Sequence, residues 1–207
     1  MASDIERKII SMYTEDRLSG VEIAKNLGLH FKSVYRWLEK NKVKRRTPEE
    51  TNAIQYLNKS PSFRIKREIK GDDLILLTSG IMLYWAEGAK YANKHTLDLA
   101  NSDPVMIRVF LKFLRKVCGI QEGKIRIYLY CYANQNPESL KRFWSKLTKV
   151  SLKQFTKPYV RQDFKEDKIG KMPYGLIHVR YFDKKLYIQF EQWQQFLLKK
   201  IFGGVAE

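Results

Sequence analysis

Lys32, Ser33 and Arg36 fall on one side of a helical wheel, where two cations and a hydroxyl could donate hydrogen bonds to a polyanion or to base edges. His30 precedes them, and Tyr35 lies at the margin of the same side. Just beyond, Lys40, Lys42, Lys44, Arg45 and Arg46 crowd positive charge into seven residues, which suits phosphate contacts that set register without carrying sequence information. A solvated charge run needs the same residues, so for any single lysine both readings stand. Other chemistries find less support. Cys118 and Cys131 form no paired motif, and His30, His95 and His178 are scattered, so zinc-finger spacing is missing.

To hold those donors outward, the surrounding residues must form helices. Ser3-Asp4-Ile5-Glu6 has the form of a capping box, and Ile5, Ile9, Met12 and Tyr13 follow at helical spacing, predicting a helix to about Glu15. Ser19-Gly20-Val21-Glu22 repeats the box and opens a second helix with Ile23, Ala24 and Leu27 inward, stopped by Gly28. A third helix starts near His30, with Val34, Trp37 and Leu38 inward and His30, Lys32, Ser33, Arg36 and Lys40 outward. Ile23-Ala24, Leu27-Gly28-Leu29, Val34 and Trp37 together resemble a helix-turn-helix of the resolvase and repressor type. That resemblance implies a recognition helix and double-stranded DNA as partner, with Ala24 permitting close helix crossing and Gly28 the tight turn. An ordinary helical hairpin would share the apolar spacing without gathering Lys32, Ser33 and Arg36 on one face.

The chain has 207 residues, enough for a small module and a larger one. Apolar residues make up 44% and aromatic ones 13%, enough to fill a core, which argues against a disordered chain. Lys and Arg number 39 against 22 Asp and Glu, a net charge of +17 that attracts a polyanion. No apolar leader or membrane-length run is visible, so a cytoplasmic protein is expected. Three segments follow: a helix-turn-helix domain over 1–46, a basic connector over 47–70 and a larger domain over 71–207. In the connector, Thr47-Pro48-Glu49-Glu50 reads as a helix start with Ala53, Ile54 and Leu57 as a short apolar stripe. Ser60-Pro61-Ser62 breaks it, and Arg64, Lys66, Arg67 and Lys70 form a second basic stretch that could track a DNA backbone between the two modules, with a flexible connector as the expectation.

The larger segment mixes helical and strand patterns. A buried helix is expected over Leu74 to Ala86, and a strand at Thr96 to Ala100. A helix opened by Asp103-Pro104, a strand over Ile125 to Tyr132 and a helix after Asn136-Pro137 follow. Strands are then expected near Val150 to Leu152, at Leu176 to Phe182 and at Leu186 to Phe190, the last two joined by Asp183-Lys184-Lys185, and a helix closes the chain over Gln192 to Phe202. This order predicts an α+β fold, an antiparallel or mixed sheet with helices on one face. The free face would carry Lys124, Arg126, Arg180, Lys184 and Lys185 as a basic cradle for DNA.

Gly80, Ile81, Met82, Leu83, Tyr84, Trp85, Ala86, Glu87 and Gly88, followed by Asn101-Ser102-Asp103-Pro104 and a helix, resemble the LAGLIDADG homing-endonuclease fold over about residues 71–202. Met82 stands where that family has its central glycine, Ala86 matches its other small position, and Glu87 takes the place of the commoner Asp. The resemblance implies that Glu87 is catalytic and a ligand of a divalent metal such as Mg2+. It also implies a homodimer about a two-fold axis. Lys90 and Lys171 are candidates for that family's lysine. Three functions follow as alternatives: a magnesium-dependent endonuclease, a transcription regulator that grips DNA without cutting, and an accessory factor of a mobile element.

Overall fold

The structure is a computed structural model and describes residues 4–90, 96–162, 170 and 172–203. It is α+β, and its contacts divide it into two compact units, Met1–Ser60 and Pro61–Glu207. The connector expected over 47–70 is split between them.

In the first unit α1 (Asp4–Thr14), α2 (Gly20–Leu27) and α3 (Phe31–Lys40) bury Ile9, Tyr13, Ile23, Ala24, Val34 and Leu38 against one another. Each fully buried aliphatic side chain here contributes roughly 1.5–3 kcal/mol. Ser19 Oγ accepts from the Glu22 amide at 3.2 Å while the Glu22 carboxylate accepts from the Ser19 amide at 2.8 Å, so the second expected capping box is formed. Ser3, part of the first, lies outside the described residues. Gly28 takes φ +65°, and the Leu29 amide donates to the Ala24 carbonyl at 2.8 Å, closing α2 with a left-handed turn that a side chain would strain. A fourth helix, α4 (Pro48–Asn58), starts on a Thr47–Glu50 capping box.

The second unit begins earlier than the sequence predicts. Ser62 donates from its amide and hydroxyl to Asp183 Oδ2 at 2.8 and 2.6 Å, and Tyr181 donates to the Ser62 carbonyl. The Arg64 and Lys66 amides donate to the carbonyls of Gly119 and Val117. The expected flexible stretch over 61–70 is therefore corrected: its backbone is bonded to the larger unit, with Phe63 and Ile69 packed on the core.

That unit runs α5 (Asp72–Glu87), β1 (Thr96–Asn101), α6 (Pro104–Lys116), β2 (Ile125–Tyr132), α7 (Pro137–Thr148), β3 (Tyr159–Arg161), β4 (Leu176–Phe182) and α8 (Lys184–Ile201). The mixed sheet has the order β1-β4-β2-β3, antiparallel except between β2 and β3. Its inward residues Leu97, Leu99, Ile125, Ile127, Leu129, Ile177, Val179 and Tyr181 share one core with Ile81, Phe110, Phe113, Trp144 and Phe190 of the helices. Two expected strands are corrected. Leu186 to Phe190 opens α8, because Asp183 caps that helix by accepting from the Lys185 and Leu186 amides at 3.0 and 3.3 Å. Lys184 and Lys185 therefore stand in a helix and not in a hairpin turn. At Val150 to Leu152 there is no strand: the Val150 carbonyl accepts from Ser145 Oγ at 2.7 Å, and a 3-10 turn starts at Leu152.

The expected buried helix is α5, and only one side of it is buried. Leu77, Gly80, Ile81 and Tyr84 face the core, while Ile75 is 67% exposed and Leu74, Met82, Trp85 and Ala86 are also exposed. The helix reads as apolar all round because both sides carry apolar residues. A Cβ on Gly80 would collide with the Phe113 ring, so this glycine serves contact with α6.

Candidate nucleic-acid interface

α3 exists with its expected orientation because its two sides differ in chemistry. Val34 and Leu38 are buried, and on the other side His30, Phe31, Lys32 and Arg36 are exposed, with Ser33 half-buried. His30 is the N-cap: its Nδ1 accepts from the Lys32 amide at 3.3 Å, and its ring lies 4.8 Å from the Phe31 ring. The N-terminal end of α3 thus gathers Lys32, Arg36 and two rings on one exposed surface. Tyr35 is occupied otherwise. A Cβ on Gly20 would sit 2.6 Å from its ring, so Tyr35 wedges α3 against the start of α2.

The basic residues that follow separate into two groups. Lys44 is exposed. Lys40 donates to Glu6 at 3.0 Å, and Glu6 is buried, so this lysine has an internal anion to balance. Arg45 lies over the Tyr35 ring at 4.2 Å. Arg46 lies 3.9 Å over the Tyr13 ring and donates to the carbonyls of Tyr13 and Arg17, while its own amide donates to the Tyr13 hydroxyl at 2.9 Å. Such contacts hold the segment after α3 onto α1.

In the second unit the register puts Arg126, Arg180 and Asp98 opposite one another on the sheet face away from the core. Tyr128 and His178 face each other in the next row, and Tyr130 and Tyr159 in a third. Asp98 is wholly buried beneath its partners: Oδ1 contacts His178 Nδ1 at 2.8 Å and Oδ2 accepts from Arg180 Nε at 2.7 Å. Burial pushes its carboxyl up, but the hydrogen bond from His178 and the charges of His178 and Arg180 outweigh that and hold it below the usual carboxylate range. Of the five basic residues expected on this face, Arg126 and Arg180 are present. Lys124 lies in the 3-10 turn before β2 and Lys184 and Lys185 begin α8. The sequence reading missed the tyrosines, although the alternation Ile125-Arg126-Ile127-Tyr128-Leu129-Tyr130 was a signal for them.

Glu87 ends α5 and is exposed. Gly88 bridges to Leu99 and the Ala89 amide donates to the Asp98 carbonyl at 2.8 Å, so the end of α5 is stitched to β1. Lys90 is exposed close by, and Lys171 lies outside the described residues. Among the described residues no three His, Cys, Asp or Glu side chains gather as metal donors. Cys118 and Cys131 are buried, and burial pushes both thiols up.

Fold and surface together define a two-unit α+β chain with a basic helix face in one unit and an open, basic and aromatic sheet face in the other. No family model, curated protein or solved structure matches the chain. Among the described residues no helix is long and apolar enough to cross a membrane.

Proposed function

We propose that this chain is a sequence-specific double-stranded DNA-binding protein that reads its site with α3. The observation that carries this reading is the surface of exposed Lys32 and Arg36 with half-buried Ser33 between them, backed by a side of the same helix that is locked into the core through Val34 and Leu38. A rigid helix with basic donors near its N-terminal end suits the major groove, where Arg pairs bidentately with guanine. His30 and the exposed Lys44 flank that surface. The net charge of +17 supplies sequence-independent attraction. Selection from a pool of random duplexes with the full chain is expected to enrich one defined sequence; an unenriched pool contradicts the reading.

One observation favours a second reading, a LAGLIDADG-like homodimeric endonuclease. Leu74, Ile75, Met82, Trp85 and Ala86 form an exposed apolar side on α5, and Glu87 stands at its end. Two such helices packed about a two-fold axis would bring two Glu87 carboxylates to one seam. Bound there, Mg2+ supplies Lewis acidity for phosphodiester hydrolysis. Binding without cutting, as in a regulator, needs only the basic surfaces of the two units and no metal. Supercoiled plasmid carrying the selected site separates the two. Magnesium-dependent nicking lost in Glu87→Gln establishes the enzyme, and binding without nicking establishes the regulator.

A further inference from the structure

We propose that the open face of the sheet binds a single strand of nucleic acid, stacking unpaired bases on Tyr159 and Tyr130 and holding the phosphates with Arg180 and Arg126. The proposal builds on the nucleic-acid reading above and assigns the second unit a ligand of its own.

Three observations carry it. The first is charge. Among the described strand residues, Arg126, Arg161 and Arg180 share this face with one acid, Asp98, which is buried beneath His178 and Arg180. The face therefore presents an excess of positive charge to a polyanion. The second is the continuity of the rings. Tyr159 lies 5.2 Å from Tyr130, Tyr130 lies 4.9 Å from His178, and Arg180 covers Tyr128 at 4.1 Å, so a ledge of planar groups crosses β3, β2 and β4. The third is exposure. Tyr159 is 58% exposed on the outermost strand, which leaves much of the side chain open to solvent.

These features distinguish a single strand from a duplex. A duplex offers base edges, which are read by the hydrogen-bonding groups of Arg, Asn and Gln, and its base faces are already stacked. An unpaired base offers its face, and sheets that bind single strands do so by stacking bases on tyrosine or phenylalanine beside basic side chains. Asp98 has a positioning role here: by accepting from Arg180 Nε it holds that guanidinium over the Tyr128 ring on this face.

The test measures fluorescence anisotropy with the full chain and short labelled strands at moderate salt. The strands are an oligothymidylate, an oligouridylate and an abasic strand, all of one length and equal phosphate charge, together with a duplex of that length. Both base-bearing single strands are expected to bind about tenfold or more tighter than the abasic strand, a margin set by base stacking. Whichever of DNA and RNA binds tighter names the source of the strand. Tyr159→Ala should remove most of that margin and Tyr159→Phe should keep it, with circular dichroism confirming that both variants fold. Equal affinity for abasic and base-bearing strands overturns the proposal, as does a margin that Tyr159→Ala leaves intact; the duplex arm reports binding through α3. Duplex selection through α3 is read separately, so a lost margin beside an intact selected site overturns this proposal alone.

Discussion

Asp98 shows how one residue organises a surface. A buried carboxylate on a sheet face is costly unless its charge is matched, and His178 and Arg180 match it. Replacing it with Asn keeps the volume but leaves Arg180 facing a neutral group, which should lower the stability of the larger unit by about 1–3 kcal/mol in urea unfolding at about pH 7. The sign with pH follows from the depressed carboxyl. Its stabilisation is fully present above the unfolded-state value, about 3.9, and is lost as pH falls through the lower folded-state value. Asp98→Asn should therefore flatten that part of the acid limb; an unchanged acid limb contradicts the assignment. Arg46 makes the same point in the smaller unit. Sequence position groups it with Lys44 as a phosphate contact, yet its guanidinium lies on Tyr13 and bonds two carbonyls. Composition alone cannot separate these two residues, because what differs is a partner at a sequence distance of about thirty residues. Arg46→Ala should destabilise the first unit by about 1–2 kcal/mol in thermal unfolding, and Lys44→Ala should leave it within about 0.5 kcal/mol. Equal effects would refute the distinction.

Elements were legible where their ends carry chemistry. Ser19 and Glu22, Asp103 with Pro104, and Asn136 with Pro137 mark helix starts by caps that act within three residues, and the structure forms each of them. Gly28 marks an end for the same local reason. Errors arose where a distant contact decides. Asp183 suits a turn as well as a cap, and its second oxygen is engaged by Ser62, more than a hundred residues earlier, so α8 starts where a hairpin was expected. β3 is only Tyr159–Arg161, paired in parallel with Tyr130 to Tyr132, and three residues carry no periodicity to read. α5 was read as buried because its apolar residues encircle it. The close approach at Gly80 makes a prediction at this scale: Gly80→Ala forces a methyl group into the Phe113 ring and should cost about 1–3 kcal/mol of the larger unit's stability. No loss in urea unfolding would show that α5 and α6 can part at little cost.

At the scale of the molecule, two units carry two surfaces, and the exposed side of α5 is a third. Its unsatisfied apolar stripe predicts self-association, so Ile75→Glu together with Met82→Glu should shift sedimentation toward the monomer, and wild-type protein that is monomeric throughout would remove the endonuclease reading. Legibility at this scale was uneven. The α+β class and the division into two modules follow from patterning and length, whereas the tyrosine ledge depends on register between strands that only the folded chain brings together. DNA reading by α3 is the central claim. Its most direct test is binding of Arg36→Ala and Lys44→Ala to the selected duplex and to single-base variants of it, with the salt dependence of each. Arg36→Ala should erase about 1–3 kcal/mol of preference at one base pair, while Lys44→Ala weakens every duplex alike and lowers the salt slope by about one. If both substitutions weaken all duplexes uniformly, α3 does not read the bases.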